Sequence, residues 1–246
     1  MHVHFLIHEY FEAPGAYEDW AKNKHYQISY TRIYQGDPLP RVLDDIDFLI
    51  VMGGPQSPST SQKVCAYFDA KAEQRLINQA IDAGKAVIGV CLGAQLVGEA
   101  LGAAFAHSPE KEIGKFPITL TPAGQVHPLF THFGQTLSVG HWHNDMPGLT
   151  SKAEVIAYSD GCPRQIVGYG PLVYGFQCHL ELTPSIVDDL IENSMAEFKL
   201  PIRHRFVQTP NQLRQHDYRT MNQQLHQFLD RLQQRYQERL TQLAIN

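Results

Sequence analysis

Ala86-Val87-Ile88-Gly89-Val90-Cys91-Leu92-Gly93 reads as a buried strand that turns directly into a helix. The first five residues form a short apolar run of the kind a strand covered on both faces requires. From residue 92 the pattern continues as a helix to about 101, closed by Gly102. Small residues stand two before and two after Cys91, as a crowded, strained turn that presents a nucleophile would need. The sulfur would then lie at a helix N-terminus, whose partial positive charge favours a thiolate. The turn would also lie at the carboxyl end of a sheet, where open α/β folds place their ligands.

Working outward, Val3–Ile7, Tyr26–Tyr34 and Asp47–Met52 read as further strands, the last broken by Gly53-Gly54-Pro55. Phe68, Ala72, Leu76 and Ala80, joined by Ile77 and Ile81, predict a helix stopped by Gly84. Strands alternating with helices imply βαβ units and a parallel sheet, hence an α/β fold. Between about 113 and 180 strands and turns take over: 118–121, 135–141, 154–159, 165–169 and 172–178. Thr183-Pro184 predicts an N-cap and first position of a helix reaching about Phe198. A last helix from about Tyr218 carries Met221, Leu225, Phe228, Leu229, Leu232, Tyr236, Leu240 and Leu243 on one stripe, either core or a partner surface.

Composition narrows the function classes. The 246 residues are 43% hydrophobic and 18% charged, enough for a core and against disorder. No apolar run reaches the ~18–20 residues of a membrane span, so no membrane partner is expected. The N-terminus reads as a first strand and not a signal peptide, so a cytoplasmic location is expected. Four scattered cysteines form no disulfide framework and no zinc pair. Net charge is −5, divided into −10 over residues 1–198 and +5 over 199–246. The basic segment lacks interleaved surface aromatics or a nucleic-acid module, so it reads as a helix packed on an acidic domain, with no nucleic acid as partner. Residues 1–200 are expected to form one domain, with 201–246 as a helical extension packed on it.

Two further segments carry chemistry. Gly175-Phe176-Gln177-Cys178-His179-Leu180-Glu181 ends an apolar strand with a histidine and an acid two positions apart, on one side of an extended chain. A cysteine nucleophile needs such a base, and the base an orienting carboxylate. Met52-Gly53-Gly54-Pro55-Gln56-Ser57 offers backbone N–H groups to a developing oxyanion, the Leu92 N–H supplying the other half. It has no P-loop lysine, which argues against nucleotide binding there.

Taken in order, GGPxS, G-x-C-L-G-x-Q (Gly89–Gln95) and G-x-Q-x-H-x-E resemble the class I glutamine amidotransferases, with Glu112-Ile113-Gly114 and His141-Trp142-His143-Asn144-Asp145 where that family carries E-x-G and H-W-H-x-D. The resemblance covers about residues 45–200 and is nearest to the free-standing, GMP synthase-like subgroup, in which Ala94 replaces a histidine. It implies a flavodoxin-like fold, a mostly parallel central sheet with helices on both faces. It also implies Cys91 as nucleophile, His179 as acid/base, Glu181 as its orienter, and the Gly54 and Leu92 amides as oxyanion donors. Gln95, Trp142, His143 and Asn144 would contact a bound glutamine. Leu180, Asn144 and Lys115 depart from the family pattern, and the last two put the substrate in question.

The expected activity is hydrolysis of glutamine or another γ-glutamyl amide through a thioester, with no cofactor. His107, His141 and His143 could suggest a metal, but cysteine hydrolases of this kind need none. Three readings compete: a glutaminase or amidotransferase subunit with a synthase as partner, a γ-glutamyl peptidase or transferase, and a binding protein that kept the fold. Intact Cys91, His179 and Glu181 speak against the third. Turnover of the isolated chain on γ-glutamyl amides would separate the first two.

Overall fold

The computed structural model describes residues 1–199 and 204–245, with side chains to Gln242. Three apolar runs build the centre of the sheet: β1 (His2–Ile7), followed by α1 (Ala16–Asn23) and β2 (Gln27–Arg32); β3 (Phe48–Val51), followed by α2 (Ala70–Asp82); and β4 (Ala86–Val90), followed by α3 (Leu92–Ala100). The chain continues through β5 (Ala106–Leu120), α4 (Pro122–Val126), β6 (Thr136–Met146), β7 (Glu154–Tyr158), β8 (Ile166–Gly170) and β9 (Val173–Phe176). It closes with α5 (Pro184–Asn193), β10 (Phe206–Val207), α6 (Pro210–Arg214) and α7 (Arg219–Ile245).

The strands lie in the order β10-β5-β7-β8-β9-β4-β3-β1-β2, with β6 on β5. From β2 to β9 every pairing is parallel, and the order β2-β1-β3-β4-β9 reverses direction between β1 and β3. That switch point in a doubly wound sheet is where a crevice opens at the carboxyl ends of the strands. The half containing β5 to β8 is antiparallel.

Alternation along the strands divides the interior into two cores. Val3, Phe5, Phe48, Ile50, Ala86, Ile88 and Val90 face one side, where Tyr17 and Trp20 of α1, Leu190 and Ile191 of α5 and the apolar face of α7 cover them. Leu6, Leu49, Val51 and Val87 face the other, under Leu76, Ile77 and Ala80 of α2 and Leu92, Leu96 and Val97 of α3. The fold is therefore α/β with helices on both faces.

Several boundaries differ from the sequence reading. The second strand stops at Arg32, because the chain turns into a short 3-10 segment at Ile33–Gln35 and leaves it through Gly36 at φ 79°. Phe68 precedes α2, whose N-cap is Asp69, its side chain accepting from the Ala72 N–H. The helix begun by Thr183 and Pro184 ends at Asn193, short of Phe198, and a separate 3-10 turn occupies Glu197–Lys199. Of the last stripe, Met221, Leu225, Phe228, Leu229, Leu232 and Tyr236 are buried in the core. Leu240 is exposed, since the helix has by then run past the sheet, and the Leu243 side chain lies outside the described residues. Among the described residues, no helix is long and apolar enough to cross a membrane.

Candidate active site

Cys91 forms the N-cap of α3 at φ 51° and ψ −108°, a left-handed conformation that a side chain adopts only under strain. The neighbours explain how the turn closes. A Cβ at Gly93 would collide with the Val51 carbonyl oxygen, and one at Gly89 with the Gly93 carbonyl. The strand and helix can pack this closely only with glycine at both places. The Cys91 N–H donates to the Phe176 oxygen at 2.7 Å, which locks the turn to β9.

His179 and Glu181 lie just beyond β9, in an extended segment pinned to β6 by paired backbone hydrogen bonds between Gly140 and His179. His179 Nδ1 and Glu181 Oε1 are 2.6 Å apart, and both side chains are buried. His179 Nε2 has no hydrogen-bond partner among the described residues, and the ring interacts electrostatically with Cys91. Burial acts to lower the His179 pKa, but the Glu181 carboxylate and the Cys91 sulfur outweigh it and hold the imidazole well above its ordinary value. For Cys91, burial wins and pushes the thiol up, against the opposing pull of His179 and the Leu92 N–H. Burial thus opposes the thiolate that the helix N-terminus, the Leu92 N–H and His179 favour.

Cys91 opens into a pocket lined also by Gly54, Gln95, Trp142, His143 and Asn144, while His179 and Glu181 are buried and are not part of its lining. Every side chain expected to contact substrate therefore reaches it. The E-x-G and H-W-H segments meet because β5 and β6 pair in register, Glu112 opposite His143, Ile113 opposite Trp142 and Gly114 opposite His141. Lys115 is not in the pocket: its Nζ donates to the Asp217 carbonyl and its backbone N–H to Gln208 Oε1. Its departure from the family pattern concerns the C-terminal segment and not the substrate.

The three histidines do not converge as a group. His107 is exposed and pairs with Asp145 at 2.5 Å. His141 and His143 instead surround the buried Glu112, whose Oε2 lies 3.7 Å from His141 Nδ1 and 3.3 Å from His143 Nε2. This is the arrangement closest to a set of metal ligands among the described residues. The Glu112 carboxylate, however, already accepts from Ser159 Oγ at 2.9 Å and from Gln165 Nε2 at 2.6 Å. That donor set satisfies a carboxylate without a cation, and it braces β5, β6 and the strands beside them.

The loop after β1 contributes residues that sequence reading did not single out. Glu12 lines the pocket, and its Oε2 fills the space a Gly53 side chain would need, next to the Cys91 Cβ. Burial pushes its carboxyl up to about 7, with nearby Glu181 acting in the same direction and His179 against it. Lys111 of β5 pairs with Glu197 across the pocket mouth. The available signal was position: His8-Glu9-Tyr10-Phe11-Glu12 follows a strand at its carboxyl end.

A family model for class I glutamine amidotransferases matches residues 20–198. The chain belongs to that family. It is 56% identical, over 94% of its length and 97% of the other, to the glutamine amidotransferase-like protein YfeJ of Salmonella typhimurium. The crystal structure of SMU.1228c superposes with a TM-score of 0.93 at 50% identity, covering 95% of this chain and 100% of that one. Anthranilate synthase component 2 of Helicobacter pylori is 29% identical over 61% of this chain and 74% of its own. The amidotransferase family is thus shared by proteins of this length and by synthase components.

Proposed function

We propose that this amidotransferase hydrolyses the γ-carboxamide of glutamine, or of a related γ-glutamyl amide, through a thioester on Cys91. The observation that carries the reading is the strained Cys91 at the head of α3, which opens into the pocket and interacts with a buried histidine whose Nδ1 lies 2.6 Å from Glu181 Oε1 and whose Nε2 has no hydrogen-bond partner among the described residues. His179 takes the thiol proton, and the sulfur attacks the carboxamide carbon. The oxyanion is held by the Gly54 and Leu92 amides, neither of which donates to another backbone group among the described residues. His179 then protonates the departing nitrogen, the C–N bond breaks, and ammonia or amine leaves. Water, deprotonated by His179, cleaves the thioester and restores the thiol. Glu181 orients the imidazole and stabilises its charged form. Gln95, Trp142 and Asn144 hold the glutamyl end, and His143, its ring engaged by Glu112 and Gln165, forms part of the wall.

We further read residues 1–200 and 201–246 as one working unit that acts without a synthase. The α7 face that could have docked one is spent on the core, from Met221 to Tyr236. The same fact weighs against a dedicated synthase subunit, although a relative carries that name. A panel of γ-glutamyl amides, assayed for ammonia or amine release by the purified chain, tests the reading. Turnover of one or more members is expected. A chain that stays inert until a synthase is added would instead be a subunit.

A further inference from the structure

His8 follows β1 directly, is fully buried, and is not among the groups that move protons in the reaction described above. Its Nδ1 lies 3.0 Å from the Gly53 carbonyl oxygen, and its Nε2 lies 2.7 Å from Glu73 Oε2 on α2. A carbonyl can only accept, so Nδ1 is the donor there. Glu73 is also buried and holds the other side of the ring. The imidazole is thereby fixed from both nitrogens.

We propose that His8 is a positioning residue that locks the Gly53–Gly54 peptide with its N–H toward the substrate, so that the oxyanion hole is complete without a partner protein. The peptide is trans, as are all peptide bonds among the described residues, so the Gly53 C=O and the Gly54 N–H point in opposite directions. Anchoring the oxygen on His8 sets the direction of the N–H. Gly54 lines the pocket, and its N–H has no acceptor among the described residues. Two successive glycines rotate more freely than any other pair, and a side chain at either would have to displace a neighbour: a Cβ at Gly53 would meet the Glu12 carboxylate, and one at Gly54 the Gln56 amide. Without an anchor the peptide can turn over. Its carbonyl would then face the developing oxyanion and repel it, where the N–H should stabilise it. Glu73 serves the lock at one remove, by fixing the ring that holds the carbonyl.

This role rests on the assignment of Gly54 as an oxyanion donor. Two variants of one residue test it. In His8→Asn the side-chain amide keeps a donor near the position of Nδ1, for Gly53, and loses its reach to Glu73. In His8→Gln the amide reaches toward Glu73 and loses the donor to Gly53. His8→Gln should lower kcat about 10²–10³-fold with little change in KM, the loss associated with one oxyanion donor. His8→Asn should recover at least tenfold of that, while the rate of Cys91 alkylation by iodoacetamide stays within about threefold of the parent in both. If His8→Asn unfolds because it strands the Glu73 charge, the His8→Asn, Glu73→Gln double variant removes that charge and takes its place. Equal impairment of the Asn and Gln forms would overturn the proposal. So would crystals of His8→Gln in which the Gly53 carbonyl keeps its orientation. That second readout needs no turnover: an inert parent enzyme would count against the reading of a chain that works without a synthase, and the orientation of the peptide would still decide the role of His8.

Discussion

His179 Nδ1 and Glu181 Oε1 stand 2.6 Å apart with one residue between them, and that spacing works only because the backbone there is extended and tied to Gly140 on the neighbouring strand. The carboxylate is within reach of one ring nitrogen and holds the other toward Cys91. Replacing Glu181 with Gln should keep the geometry and remove the charge. We expect kcat to fall about 10²–10⁴-fold with KM changed by less than a few-fold, as for other orienting carboxylates. An unchanged kcat would assign the orienting role to another acid, for which Glu12, in electrostatic contact with His179, is a candidate.

A glutamine-like electrophile should label Cys91 alone, read by peptide mass spectrometry, and Cys91→Ala should abolish both labelling and turnover. Cys178 is fully buried, its thiol held well above the ordinary range by burial first, and burial pushes the Cys162 thiol up to about 12. Neither has a histidine to take its proton. Labelling of Cys178 in the native protein would reassign the nucleophile.

How much of this was legible beforehand depends on how local each cause is. The β4 turn into α3 could be read because the requirement for Gly89 and Gly93 arises within eight residues. The pairing of Glu112 with His143 could not be deduced from pattern, since β5 carries Pro109 and Pro117, which ordinarily argue against a long strand. α1 went unread: its buried residues, Ala16, Tyr17, Trp20 and Ala21, are few and mixed with charge. His8 and Glu12 looked like ordinary loop residues. Their significance arises from partners 41 to 65 positions away, brought together only by the parallel crossovers.

Glu12 gives a pH prediction with a definite sign. Its carboxyl is raised from an ordinary 4.5 to about 7, with burial the main cause. The native state therefore binds a proton that the unfolded chain has released between those values, and stability is lost as pH rises through that window. Glu12→Gln should be more stable than the parent above pH 7, by an amount on the order of 3 kcal/mol at most, and indistinguishable from it near pH 4. Denaturant titrations at pH 4, 6 and 8 check this; a difference independent of pH would refute it. Removing the same charge should also let Cys91 react with iodoacetamide at lower pH, because the Glu12 carboxylate helps hold the thiol up.

Phe228 of α7 sits among Phe130, Tyr174 and Phe176, with ring centroids 5.0 to 5.5 Å away. Phe228→Ala should cost about 3–5 kcal/mol of stability in urea unfolding, the usual loss for a buried aromatic ring. A cost below 1 kcal/mol would mean that the helix face is available to a partner after all.

The last helix also ties down the first elements of the chain. Asp230 accepts from the Trp20 indole at 2.9 Å and pairs with Lys24, and the Tyr236 hydroxyl donates to Asp47 at 2.9 Å. During synthesis, β1, α1 and β3 emerge long before the helix that roofs them. Until residues 219–236 have left the ribosome, one face of the parallel sheet has only part of its cover, and the nascent protein exposes Phe5, Phe48 and Phe176 in a row of strands. Docking of that helix is thus the step that closes this face, and until it occurs the growing polypeptide carries exposed apolar surface of the kind that aggregates.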